Sequence, residues 1–213
     1  MKFDTGVLAP SLTAVPALAR QAEEIGFDGL WTSETQHNPF LPLALAAEHT
    51  ERIELGTAIA VAFARNPMDV AYIAWDLAQL SRGRFILGLG TQVKPHIERR
   101  FSMPWGSPVA KLREFVLALR HIWDSWQNQT KLNFRGEFYK HTLMSPFFNP
   151  GPIEYPPIPI YIAGVNEQLC RLAGELADGF HVHPYHSPSY LRERVIPWIE
   201  AGALAAGRQR SDV

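Results

Sequence analysis

The chain has 213 residues, 46% of them hydrophobic and 19% charged, with a formal net charge of −1. That balance fits a globular chain with a substantial core and gives no electrostatic reason to expect a nucleic acid or an anionic membrane as partner. The one cysteine, Cys170, excludes an internal disulfide and a cysteine-based zinc cluster, and with no signal-like or bilayer-length apolar segment a soluble, cytoplasmic protein is expected.

In chain order, strand and helix patterns alternate. Phe3 to Ala9 reads as a short strand, and Ser11 or Thr13 is placed to cap a helix over Ala14 to Ile25. Gly26-Phe27-Asp28-Gly29 turns into a strand at Leu30 to Ser33, and after the loop Glu34 to Pro39 comes a small-residue helix, Leu41 to Thr50. Ile53 to Ala62 has no polar side to its pattern, which suits a strand buried on both faces. Asn66-Pro67 supplies an N-cap followed by proline at the first helical position. The helix that follows carries Val70, Ile73, Ala74, Leu77 and Leu80 at 3–4 spacing and stops at Ser81-Arg82-Gly83-Arg84.

Phe85 to Leu89 is the next buried strand, Thr91 to Pro108 a looser stretch, and Ala110 to Trp126 a strongly amphipathic helix. Residues 127–157 hold no long periodic run and are rich in Pro, Gly, Asn and Phe. They are expected to form an insertion lying over one end of the sheet. Pro159 to Gly164 and Gly179 to His183 read as strands, Asn166 to Ala177 and Ser189 to about Ala206 as helices. These six strand–helix units point to one domain over residues 1–213, either a doubly wound sheet or a (β/α)8 barrel. A barrel needs eight units and about 250 residues, so the residues here supply an incomplete one. In either architecture the strand C-termini open on one rim, where α/β sites are built.

The segments GFDGLWTSETQHNPFLPLALAAEHT, ELGTAIAVAFARNPMDVAYIAWDLAQLSRGRFILGLGTQVKPHIERRF and PIPIYIAGVNEQLCRLAGELADGF resemble the bacterial luciferase-like monooxygenase superfamily. They are most similar to the branch that uses the deazaflavin coenzyme F420. The resemblance implies a (β/α)8 barrel with an insertion after the fourth strand, a flavin or deazaflavin at the C-terminal rim, and a homodimer. Residue by residue, it implies a non-prolyl cis bond at Ala58-Ile59 behind the cofactor ring. It also implies a phosphate-receiving loop at Ala163-Gly164-Val165-Asn166, an acidic residue at Glu34 and a phosphate-side wall at His183.

Two positions depart from the family pattern. Many relatives place a histidine directly after the acidic residue, whereas here Thr35 stands there and His37 follows two residues later. Sugar-phosphate dehydrogenase relatives use a glutamate after the fourth strand, whereas here Val93 occupies that place, with Gln92, Lys94 and His96 nearby. Sugar-phosphate oxidation is therefore not expected.

Glu34, His37 and His96 are the proton-handling candidates, since each follows a strand and His titrates near neutral pH. The bland readings are a capping loop for Glu34 to His37 and a solvated charged loop for His96, Arg99 and Arg100. Gly88-Leu89-Gly90-Thr91 lacks the third glycine and the helix of a dinucleotide fingerprint; Gly90 is better read as letting a cofactor ring approach the backbone. His181 and His183 would share one strand face, yet no third ligand is near, so no metal is expected. The expectation is hydride transfer between coenzyme F420 and a small organic substrate. Two alternatives stand beside it: an FMN-dependent monooxygenase, and a catalytically inert flavin-binding or oligomerising chain.

Overall fold

A computed structural model describes residues 2–7 and 10–213. The strands are β1 (Asp4–Gly6), β2 (Gly29–Thr32), β3 (Glu54–Thr57), β4 (Ala60–Val61), β5 (Phe85–Gly90), β6 (Phe134–Arg135), β7 (Lys140–His141), β8 (Ile160–Ala163) and β9 (Gly179–His181). Between them run the helices α1 (Val15–Ile25), α2 (Leu41–Glu48), α3 (Pro67–Leu80), α4 (Pro108–Gln127) and α5 (Glu167–Leu176). The last helical stretch is composite: α6 (Pro188–Tyr190) passes through a π turn, Leu191–Val195, into α7 (Ile196–Ala205).

The main sheet is parallel throughout, ordered β1-β2-β3-β5-β8-β9 with β4 also paired to β5. Each strand joins its neighbour through a helix, the arrangement that right-handed crossovers impose. The outward row, Leu30, Leu55, Phe85, Leu87, Leu89, Ile160 and Ile162, is buried against the helices. The inward row is different. Trp31, Gly56 and Ile86 are in register, as are Gly88 with Tyr161 and Ala163 with His181.

The inward row measures the curl. From β2 to β9 there are four strand spacings, about 19 Å in a flat sheet. Yet the Trp31 and His181 ring centroids lie 4.9 Å apart, and Trp31 also stacks on Tyr161 at 6.0 Å. The sheet is therefore wrapped into part of a barrel. Small residues make room for the wrap: a Cβ on Gly56 would run into the Trp31 ring, and one on Gly88 into the Thr57 carbonyl and the His181 ring.

Several elements differ from expectation. The first strand spans only Asp4–Gly6 among the described residues, and Leu8 and Ala9 lie outside them. Neither Ser11 nor Thr13 caps the first helix; their hydroxyls bond each other at 2.7 Å and a 3-10 turn, Leu12–Ala14, leads into α1. The expected strand Ile53 to Ala62 is interrupted, because the Ala58-Ile59 peptide is cis and divides β3 from β4. The loose stretch after β5 contains a π turn, His96–Arg100.

Residues 127–157 pack along the outside of α3 and α4, and Tyr155 and Pro156 come over the start of β5 at Gly83. Tyr72 donates to the Phe148 carbonyl at 2.6 Å and Trp75 to that of Gly151 at 3.1 Å. The Glu114 carboxylate of α4 receives the N–H groups of Glu137, Phe138 and Tyr139, which seats the antiparallel β6–β7 pair. The segment is held by backbone groups satisfied on helix side chains, an arrangement no periodicity signals.

Candidate functional site

The loops after β2, β4, β5, β8 and β9 leave the C-terminal ends of parallel strands and meet on one rim. Glu34 is the tightest point on it. Its Oε2 accepts the Val61 N–H at 2.7 Å and Arg65 Nη1 at 2.7 Å, while Oε1 accepts Arg65 Nη2 at 2.9 Å. The two side chains are only 5% and 12% exposed, respectively. Arg65 also reaches the Val61 carbonyl at 3.1 Å and stacks over the Phe40 ring. Three of the four lone-pair sites of the carboxylate are taken in this way. Glu34 is thus a clamp joining the loop after β2 to β4, in place of the free proton donor or acceptor expected of it.

Further bonds fasten the same two loops. The Ala58 N–H donates to the Thr32 carbonyl at 2.7 Å, Ser33 Oγ to the Ala58 carbonyl at 2.9 Å, and the Glu34 N–H to the Ile59 carbonyl at 3.2 Å. The Ala58-Ile59 peptide is in this way fastened along the end of β2 and the loop that follows it.

His37 is exposed beside a groove of about 730 Å3 that is also lined by Val7, Ser11, Thr35, Asn38 and Leu41. His96 is exposed at the start of the π turn after β5. Arg100 ties that turn to the His37 loop, its Nη2 donating to the Thr35 carbonyl at 2.6 Å. The structure so brings the His37 and His96 loops to one side of the rim.

Gly90 ends β5 under the Ile59 side chain, where a Cβ would come within 2.7 Å of Ile59 Cδ1. Ile59 and Gly90 together make a smooth, apolar floor. Beneath it, Thr57 Oγ1 donates to the Gly88 carbonyl at 2.7 Å and accepts the Gly88 N–H at 2.9 Å, fixing the spacing of β3 and β5.

Gly164 presses against Leu169 in the first turn of α5, and Asn166 caps that helix by accepting the Leu169 N–H at 3.0 Å. Among the described residues no protein acceptor takes the N–H groups of Val165, Asn166, Glu167 or Gln168. Such a run of open amides at a helix N-terminus suits an anion. His183 lies on the neighbouring loop, exposed, with its ring near those of Tyr185 and His186.

His181 has a different environment. Its Nε2 is buried without a hydrogen-bond partner, between Gly88 and the Trp31 and Tyr161 rings. Burial pushes its pKa below the ordinary histidine value, partly opposed by the Thr57 backbone and Asp4. His181 and His183 therefore do not converge, and no cluster of three or more His, Cys, Asp or Glu that could hold a metal occurs among the described residues. Sequence reasoning missed Arg65 and Thr57, whose partners lie 31 residues away in each case. The Asn66-Pro67 cap signal beside Arg65 gave no hint of a buried charge.

The open amides at α5 and the apolar floor at Ile59 and Gly90 fit a phosphorylated cofactor with a flat ring. The model of the luciferase-like monooxygenase family matches residues 2–213. An uncharacterized protein of Mycobacterium tuberculosis (strain H37Rv) is 56% identical, over 99% of this chain and 62% of that protein. An F420-dependent glucose-6-phosphate dehydrogenase of Intrasporangium calvum is 30% identical over 91% of this chain and 60% of its own length. The coenzyme F420-dependent tetrahydromethanopterin reductase of Methanopyrus kandleri superposes with a TM-score of 0.80 at 22% identity, over 99% of this chain and 63% of that one. The chain thus spans a little over three fifths of the length of the proteins it resembles.

Proposed function

We propose that this chain, which belongs to the luciferase-like monooxygenase family, is the cofactor-holding part of an oxidoreductase that uses coenzyme F420 for hydride transfer to or from a small organic substrate. The observation that carries the reading is the pairing of the open α5 amides with the Ile59–Gly90 floor on one rim. The F420-dependent relatives support the choice of cofactor.

When bound, the deazaflavin supplies a ring carbon that gives or takes a hydride. The residues of this chain position, orient and exclude water, as the protein part of a cofactor enzyme does. The Val165 to Gln168 amides hold the phosphate, and Ile59 and Gly90 back the ring. Glu34 and Arg65 lock the peptide that carries Ile59. His37 and His96, both exposed at the rim, are the groups free to move a proton at substrate.

Val93 is 55% exposed at the place where sugar-phosphate dehydrogenase relatives hold a glutamate. An apolar side chain there supports a substrate that needs no carboxylate at that point. The FMN-dependent monooxygenase reading is favoured by the family description and by fold neighbours solved with FMN, and the same amides and floor would receive FMN; the F420-dependent relative at 30% identity favours the deazaflavin.

Amide hydrogen exchange tests the reading. Added F420 should slow exchange at residues 165–168 and 59–61 together. Slowing at neither segment, with binding detected elsewhere, would overturn it.

A further inference from the structure

A second cavity, of about 710 Å3, opens at the end of the sheet opposite the rim. It is bounded by α3, α4 and the segment leading into β8. Both sheet neighbours of that region, β3 and β9, are present, and the cavity is a groove open to solvent along Asp124, Asn128, Pro156 and Pro157, independent of the rim reading.

Its wall has an unusual hydrogen-bonding balance. Trp75 and Trp123 are buried and their indole N–H groups are already spent, on the Gly151 carbonyl at 3.1 Å and the Ala71 carbonyl at 3.2 Å. The Gln127 amide is closed on the Ile153 backbone, donating at 3.0 Å and accepting at 3.2 Å. Across from them, Tyr155 is followed by Pro156, Pro157 and Pro159, which have no N–H to offer.

Two carboxylates reach the cavity. Asp178 is neutralised by Arg120, whose Nη2 lies 2.9 Å from its Oδ2. Asp124 forms no ion pair among the described residues, and its one side-chain donor is Asn128 Nδ2 at 2.7 Å. The cavity accordingly presents aromatic and proline surface with one uncompensated negative charge.

We propose that this cavity binds a small organic cation, a protonated amine with an aromatic or alkyl body. Its ammonium would face Asp124 and its body the Trp123 and Tyr155 wall. A volume in this range suits a ligand of drug size, and aromatic walls attract a cation that a carboxylate alone would hold weakly. An organic acid is the poorer fit, because Arg120 already has its carboxylate.

The test is a titration of the full chain at pH 7 with 2-phenylethylamine, 2-phenylethanol and 3-phenylpropionate, read by intrinsic tryptophan fluorescence. The three share a phenyl body and differ in charge. The amine is expected to bind about fivefold or more tighter than the alcohol, the size of one modest ionic contact. Asp124→Asn, at an exposed helix position, should remove that preference while leaving the alcohol unchanged. Equal binding of amine and alcohol, preference for the acid, or a preference that survives Asp124→Asn would overturn the proposal. So would absence of saturable amine binding up to about 10 mM, the weak limit of specific recognition.

Discussion

Arg65 grips Glu34 at both carboxylate oxygens, 2.7 and 2.9 Å away, and the same carboxylate accepts the Val61 N–H. The pair joins the loop after β2 to the short strand after the cis peptide, across 31 residues of sequence. Because both partners are nearly buried, removing one strands the other charge away from water. Arg65→Met should therefore lower the unfolding free energy by about 3 kcal/mol, measured by urea denaturation. A loss below about 1 kcal/mol would place the pair with ordinary surface bridges.

Glu114 makes a comparable seat on the outer layer. Its carboxylate collects the N–H groups of residues 137–139, and a Cβ on Gly136 would overlap it. Glu114→Ala should cost about 2 kcal/mol, since it leaves backbone donors unsatisfied. Hydrogen exchange should quicken at 137–139 far more than at the rim. Uniform quickening across the chain would contradict a local seat.

Two histidines give stability a pH dependence of fixed sign. Burial lowers the pKa of both His141 and His181 from the ordinary 6.5. The unfolded chain then binds more protons than the native one in that range, so stability should fall as pH drops through about 6.5. It is fully present above that value and is lost toward the lowered native pKa values. Denaturation midpoints between pH 8 and 5 check this, and His141→Phe should shallow the slope. A midpoint that rises as pH falls would refute the assignment.

The lone thiol should be silent. Cys170 is buried in α5 and burial pushes its pKa up to about 11. A thiol-reactive dye at pH 8 should label it only after denaturant is added. Rapid labelling of the native chain would show that α5 is open.

Much of the architecture was legible in the residues because buried parallel strands carry their own signature. The runs Phe85 to Leu89 and Pro159 to Gly164 are apolar on both faces, and Asn66-Pro67 marked the start of α3 to the residue. The rim was legible through topology and resemblance, including the cis peptide at Ala58-Ile59. What pattern cannot carry is pairing at a distance. Arg65 beside a helix cap looks like any surface cation until Glu34 is brought to it. The Glu114 seat depends on backbone N–H groups, which every sequence has. His181 drew notice only as a metal candidate, and its isolation against Trp31 and Tyr161 follows from the curl of the sheet.

Titration of the chain with coenzyme F420 and with FMN side by side, following ring fluorescence, separates the two cofactors. Saturable binding of F420 is expected, weakened when Gly90 is replaced by leucine under Ile59. Tight binding of FMN with none of F420 would contradict the F420 reading.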